Sequence, residues 1–193
     1  GLYFFATSGG QTENVENVWG TAYGYLKSVP DTYENPQKAS RYHWSVNMTR
    51  AQIEEKLNNA GASIGNLKKI EINSVSDTGR VTQMTFHGTE DSYTVKREKC
   101  RTILGLYSQK FTVSADGDAS IITTSGIAQT PLYTLSSSGI KTTSGYNALT
   151  GNGTISDIPI DENVADSYII DGGGYGHGVG MSQWGARGMA ENG

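Results

Sequence analysis

Apolar positions in this chain recur in short runs broken by glycine, serine and threonine, and a helical period is sustained in few places. Residues 2–6, Leu-Tyr-Phe-Phe-Ala, read as a buried strand closed by the polar turn Thr7-Ser8-Gly9-Gly10. Acids and amides then alternate with Val15, Val18 and Trp19. Residues 26–29 have the composition of a short strand ended by Pro30-Asp31, and residues 42–46 that of an edge strand beyond a Tyr/Asn/Pro/Ser-rich loop. The clearest helix opens at Thr49. There Thr49-Arg50-Ala51-Gln52 fits a capping box, in which hydroxyl and amide satisfy N–H groups that a helix start leaves free. Ile53, Leu57 and Ala60 fall on one face of it, and Gly61 ends it. Residues 67–75 and 80–86 alternate like strands about the turn Asp77-Thr78-Gly79. Tyr93 and Val95 lead into a second helix with Cys100, Ile103 and Leu104 inward.

Between 111 and 170 no helical period survives. Short strands around 120–124, 132–135 and 168–170 predict hairpins, and the stretch reads as an inserted β element. A dense glycine segment follows, then a last short helix over 182–189. No repeat of fixed period is present. The expected architecture is α+β: a β-rich single domain over 1–193 with two or three short helices and a β-hairpin insertion at about 111–170.

Composition narrows this picture. A chain of 193 residues suffices for one domain with a proper core. Hydrophobic content is only 36%, yet Ile, Val, Tyr and Phe recur in runs, which indicates a strand-rich globular protein rather than a disordered one. Net charge is −4 with both signs mixed, so there is no basic stripe for nucleic acid and no basic amphipathic face for a membrane. No apolar run approaches the ~20 residues a membrane span needs. Cys100 is the only cysteine, which excludes an internal disulfide and a cysteine-based metal cluster, and its apolar surroundings place it in the core. His43 and His87 lack ligand partners in the sequence, and His177 alone is no zinc site, because zinc takes at least three protein ligands. Neither metal nor cofactor is expected. The chain opens on Gly1 directly into an apolar run, which reads as a piece of a longer protein.

The chemistry concentrates in Gly172-Gly173-Gly174-Tyr175-Gly176-His177-Gly178-Val179-Gly180-Met181-Ser182-Gln183-Trp184-Gly185. Six glycines between 172 and 180 let the backbone approach a ligand or another segment closely. A sugar would suit such a loop: Tyr175 or Trp184 offers an apolar face, while Ser182 and Gln183 can bond hydroxyl or acetamido groups. The spacing is not G-x-G-x-x-G, and no Gly-Lys-Ser/Thr follows, which argues against a nucleotide. The plainer alternative is a tight turn that packs a helix onto a strand.

The string 174–186 resembles the signature of the stage II sporulation protein D family, which includes the amidase enhancers (LytB-type). A second match lies at the other end, in residues 4–14 (Phe-Phe-Ala-Thr-Ser-Gly-Gly-Gln-Thr-Glu-Asn), with Val18-Trp19-Gly20, Tyr25-Leu26-Lys27-Ser28-Val29 and His43-Trp44-Ser45-Val46 in order. The resemblance implies peptidoglycan as the substrate. Family members that cleave glycan act as lytic transglycosylases, breaking the bond from N-acetylmuramic acid to N-acetylglucosamine without water and leaving a 1,6-anhydro sugar. That reaction needs a carboxylic acid of raised pKa to protonate the leaving oxygen. The family's proposed catalytic Glu lies upstream, in a Glu-Ala-Leu-Lys-Ala-Gln-Ala-like helix that this chain lacks. No catalytic residue is therefore assigned here, and this chain alone is expected to be inactive.

As substrate-binding residues the resemblance points to Thr7, Ser8, Gly10, Thr12 and Glu13, which line the groove or hold its supporting hydrogen bonds. From the glycine segment it adds Tyr175, His177, Gly178, Met181, Ser182, Gln183 and Trp184. His177 is the strongest single candidate; its alternative role is to pin the glycine loop. Trp19 and Trp44 are candidates for sugar stacking or for the core. The partners implied are glycan strands and a cell-wall amidase or other hydrolase, with no nucleic acid. The location implied is extracytoplasmic, at the envelope of a Gram-positive bacterium. The runner-up activity is non-catalytic: enhancement of an amidase, or glycan binding.

Overall fold

Two three-stranded antiparallel sheets and a capped helix enclose the main core. The computed structural model describes residues 2–115 and 165–192 and, between them, the backbone of six short strands. The elements in order are β1 (Phe4–Phe5), α1 (Val15–Trp19), β2 (Trp44–Thr49), α2 (Arg50–Asn59), β3 (Leu67–Val75), β4 (Val81–Gly88), β5 (Ser92–Lys96), α3 (Lys99–Thr102) and β6 (Phe111–Ala115). Next come β7 (Ile121–Thr123), β8 (Gly126–Ala128), β9 (Tyr133–Ser136), β10 (Gly139–Thr142), β11 (Gly145–Leu149) and β12 (Ile155–Ile158), then β13 (Ser167–Gly172), β14 (Met181–Ser182) and α4 (Gln183–Asn192). The fold is α+β and β-rich, as expected.

The first sheet has the order β2-β13-β6, so β2 is an edge strand, as residues 42–46 predict. The second is the meander β3-β4-β5. Its first hairpin turns at Ser76–Gly79, where Gly79 takes φ +80° and donates its N–H to the Ser76 carbonyl at 2.9 Å. Trp44 and Met48 of β2, Ile53 and Leu57 of α2, Leu67 of β3, Met84 and Phe86 of β4 and Ile170 of β13 share one apolar cluster. Cys100 belongs to it, and burial pushes its thiol up to about 12. The cap on α2 is reciprocal: Gln52 N–H donates to Thr49 Oγ1 at 3.3 Å, and Thr49 N–H donates to Gln52 Oε1 at 2.9 Å.

β6 and β13 pair with each other, Ala115 opposite Tyr168, so the chain between them leaves and re-enters at one ladder. Within that stretch β7 pairs with β8, and β9 to β12 form an antiparallel meander of their own. Hairpins form among β7–β12, but residues 168–170 lie in β13, the central strand of the first sheet, and not in a hairpin of that stretch.

Local readings fail where one side of a run faces water. The apolar run 2–6 forms only the two-residue β1, paired in parallel with β14; Leu2, Tyr3 and Phe4 are exposed and Phe5 alone is buried. Residues 26–29 are not a strand. Leu26 drops into a small second cluster with Val15, Val18 and Val179, and the segment is held by single bonds such as Thr12 N–H to the Val29 carbonyl at 3.0 Å. Tyr93 and Val95 lie in β5, and the helix beyond them is only the four residues of α3. Ala60 faces solvent; after the turn at Gly61, Ala62 takes the core position instead.

Candidate functional site

The two ends of the chain are bonded directly to each other. Tyr175 N–H donates to the Thr7 carbonyl at 2.7 Å, Glu13 N–H to the Gly178 carbonyl at 2.8 Å, and Met181 N–H to the Tyr3 carbonyl at 3.0 Å. This closeness explains the glycines. A Cβ on Gly174, at φ +85°, would lie 2.9 Å from the Thr7 carbonyl oxygen, and one on Gly178 would lie 2.8 Å from Arg80 Nε.

Glu34 sits where the ends meet and is only 4% exposed. Its carboxylate accepts from Ser8 N–H at 2.9 Å, Ser8 Oγ at 2.7 Å and Gly9 N–H at 2.9 Å. From the other end of the chain Ser182 Oγ donates to it at 2.9 Å, and Ser182 Oγ in turn accepts from Gly185 N–H at 2.9 Å. One carboxyl side chain thus satisfies donors from both motifs. Arg80 closes the other side. Its guanidinium is fully buried and donates to the Ser8 and Gln11 carbonyls, each at 2.9 Å. Burial lowers its pKa, while Glu13 and Glu34 work in the opposite direction.

Glu13 is neither solvated nor facing a cleft. Its carboxylate accepts from Asn14 N–H and Asn17 Nδ2 at the start of α1, and from the Ser76 and Thr78 hydroxyls of the β3–β4 turn. Asp31 lies against the first turn of α4, where a Cβ on Gly185 would be 2.4 Å from either carboxylate oxygen. Burial pushes its pKa up and Glu34 adds to this, although the Ser8 and Ser182 hydroxyls oppose the shift.

Thr7, Ser8, Thr12, Glu13, Gly178 and Ser182 are therefore all buried, and their place is in the supporting hydrogen bonds rather than on a surface a sugar can touch. Tyr175, Met181 and Gln183 are exposed, while Gly10, His177 and Trp184 are half-buried. These outward residues do not form one patch. Tyr175 meets Tyr107 edge-on at 5.6 Å, and the Arg41 guanidinium lies 4.2 Å over the Tyr107 ring. His177 stands between Phe5 at 5.6 Å and Trp19 at 5.0 Å, with Tyr3 beyond Trp19. Its Nδ1 accepts from Val179 N–H at 3.1 Å. Burial lowers its pKa, and a hydrogen bond with the Phe4 backbone works against that. The ring is engaged by the fold on both sides. Trp44 is core, its Nε1 donating to the Gly174 carbonyl at 2.9 Å.

Trp184 borders a groove of about 610 Å³ between residues 32–38 and α4 that Tyr33, Glu34 and Arg187 also line. The Arg187 guanidinium stacks 5.0 Å over the Trp184 ring. Among the described residues no group of three or more His, Cys, Asp or Glu side chains gathers as metal ligands would. Sequence reasoning missed Glu34, Asp31 and Arg80. The only trace of the first two is a pair of acids three apart in a loop, directly after a motif segment.

The chain is 27% identical over 195 residues to Stage II sporulation protein D of Bacillus subtilis (strain 168), an alignment that covers 98% of this chain and 39% of that protein. The protein of the same name from Bacillus amyloliquefaciens is 26% identical over 191 residues. Amidase enhancer of Bacillus subtilis (strain 168) is 24% identical over 212 residues, with 98% of this chain and 27% of that protein covered. The profile described as Domain of unknown function (DUF8618) matches residues 30–139, more than half of the chain. The chain belongs to the DUF8618 family. Relatives matched over 98% of this chain also bear out the resemblance to the stage II sporulation protein D and amidase-enhancer group. The DUF8618 match contains Asp31, Glu34, Arg80 and Lys110 and lies between the two terminal motifs. The chain spans about two fifths of the length of the sporulation proteins it matches.

Proposed function

We propose that this domain handles peptidoglycan glycan strands outside the cytoplasmic membrane, as the strand-holding part of a longer lytic transglycosylase. The observation that carries this reading is the convergence of both motifs on Glu34 at the edge of a groove that holds Trp184 and Tyr33. A pyranose ring has an apolar face for an aromatic side chain and a rim of hydroxyls for polar ones, and this groove supplies both. The names of the relatives, sporulation protein D and amidase enhancer, support a role at the cell wall.

In this reading the acid comes from elsewhere in the longer protein, as the family resemblance implies. Protonating a glycosidic oxygen takes a carboxyl that holds its proton near neutral pH and reaches the bond. Asp31 has the raised pKa but is sealed beneath Gly185, and Glu34 is engaged on both oxygens by backbone and serine donors. Glu16, Glu71 and Glu191 all have lowered pKa values. The chain's own residues hold and orient the strand.

A second reading follows from the 24% identity with Amidase enhancer: the domain stimulates a separate amidase without cleaving glycan. Mass spectrometry of peptide-free glycan strands incubated with the parent protein separates the two. Products ending in 1,6-anhydro-N-acetylmuramic acid support cleavage. Intact strands, with faster release of stem peptides when an amidase is added, support enhancement. Intact strands with no effect on the amidase would sink both.

A further inference from the structure

A second hollow, about 260 Å³, is lined by Gly9, Tyr42, His43, Lys110, Thr112 and Asp171 among others, and the proposed role leaves it unused. Lys110 and Tyr42 flank one extended segment. Gly173 N–H donates to the Lys110 carbonyl at 2.9 Å, and Gly174 N–H approaches the Tyr42 carbonyl at 3.3 Å. The half-buried Lys110 ammonium donates to the Gly9 carbonyl at 2.7 Å, and among the described residues no carboxylate pairs with it. An ammonium has three donors, so two N–H groups remain for a ligand. The Tyr42 hydroxyl is a further donor, lying over Gly10, where a Cβ would meet it at 2.9 Å. Burial and the nearby Arg80 lower the Lys110 pKa, and Glu34 opposes them. A partly desolvated cation with no carboxylate in direct contact is costly, and an incoming anion relieves that cost.

Size limits what fits. Ligand pockets usually hold roughly 300–1,000 Å³, so this hollow is too small for a disaccharide and suits a single charged substituent. We propose that it is a subsite for a carboxylate carried by the cell-wall ligand, with Lys110 as the counter-charge and the Tyr42 hydroxyl as second donor. The inference rests on the reading of the domain as a glycan-strand binder. Two sources carry this chemistry: the lactyl carboxylate of N-acetylmuramic acid and the terminal carboxylate of a stem peptide. Asp171 at the exposed rim repels both and holds affinity down.

The test is an NMR titration of the 193-residue chain with N-acetylmuramic acid and, separately, with D-alanyl-D-alanine. The uncharged controls are the methyl ester of the first and the amide of the second. One acid is expected to bind at least about tenfold more tightly than its control, a difference of about 1.4 kcal/mol, and to shift the Lys110, Tyr42 and Gly173 resonances. The sugar acid would assign the subsite to the glycan, and the dipeptide to the peptide. Lys110→Met should lose most of the binding, Lys110→Arg keep most of it, and Asp171→Asn strengthen it. Equal binding of acid and control, no saturable binding of either acid, or Lys110→Met binding like the parent would overturn the proposal. Should Lys110→Met fail to fold, the acid-against-control comparison decides alone, since it needs no variant. Failure of the wider reading appears in a different assay, as intact strands and an unstimulated amidase.

Discussion

The cluster beneath β3, β4 and α2 and the junction around Glu34 are equally shut away from water, but they are held by different forces. The first is apolar: Ile53, Leu57, Leu67, Met84 and Phe86 are each 0% exposed and offer no polar side-chain atom to satisfy. Its stabilisation scales with buried area and tolerates any well-fitting shape. The second is built from Glu34, Arg80, Glu13, Ser8 and Ser182, whose partners must stand at hydrogen-bond distance or leave a buried charge uncompensated. The apolar cluster makes the domain stable. The junction fixes where the two motifs lie, and so shapes the surface that the groove and Trp184 present.

Conservative substitutions put the largest strain on this contrast. Glu34→Gln keeps the shape and removes the charge, which weakens the field that Glu13 and Glu34 together exert on buried Arg80 and turns one acceptor oxygen into a donor facing N–H groups. It should cost about 3–5 kcal/mol, read by urea unfolding. A cost below about 1 kcal/mol would mean that the junction behaves like a surface ion pair. Leu57→Met, an equally conservative change in the apolar cluster, should cost less than about 1.5 kcal/mol. If it cost more than Glu34→Gln, the assignment of roles would be reversed.

The smallest expected effect sharpens the picture within the junction. The folded protein raises the Asp31 pKa, so the native state keeps that proton to higher pH than the unfolded chain does. The resulting stabilisation is complete below the ordinary value of 3.8 and is lost as pH rises through the raised one. Asp31→Asn removes this dependence. Relative to the parent, the variant should gain stability between pH 4 and pH 7 in thermal melts, whereas a constant difference across that range would contradict the raised pKa.

The same contrast explains what could be read in advance. The Thr49 cap, the Asp77-Thr78-Gly79 turn and the strands about it are written within a few adjacent residues, and the structure has them. The two motifs were legible as unusual strings. Glu34 was not, because the donors that bury it are 26 residues away at Ser8 and 148 residues away at Ser182. Arg80 follows a turn like many exposed arginines, and only the Ser8 and Gln11 carbonyls, brought over by the fold, make it an interior residue. His177 stood out for its chemistry, yet its ring is taken up by Val179, Phe5 and Trp19.

If this junction presents a glycan-binding groove, the 193-residue chain binds purified peptidoglycan strands in a cosedimentation assay. The parent chain should sediment with the strands, and Trp184→Ala, on the groove wall, should weaken binding about tenfold, as loss of a stacking aromatic does. A folded chain that stays in solution, or a Trp184→Ala variant that binds unchanged, would contradict the account.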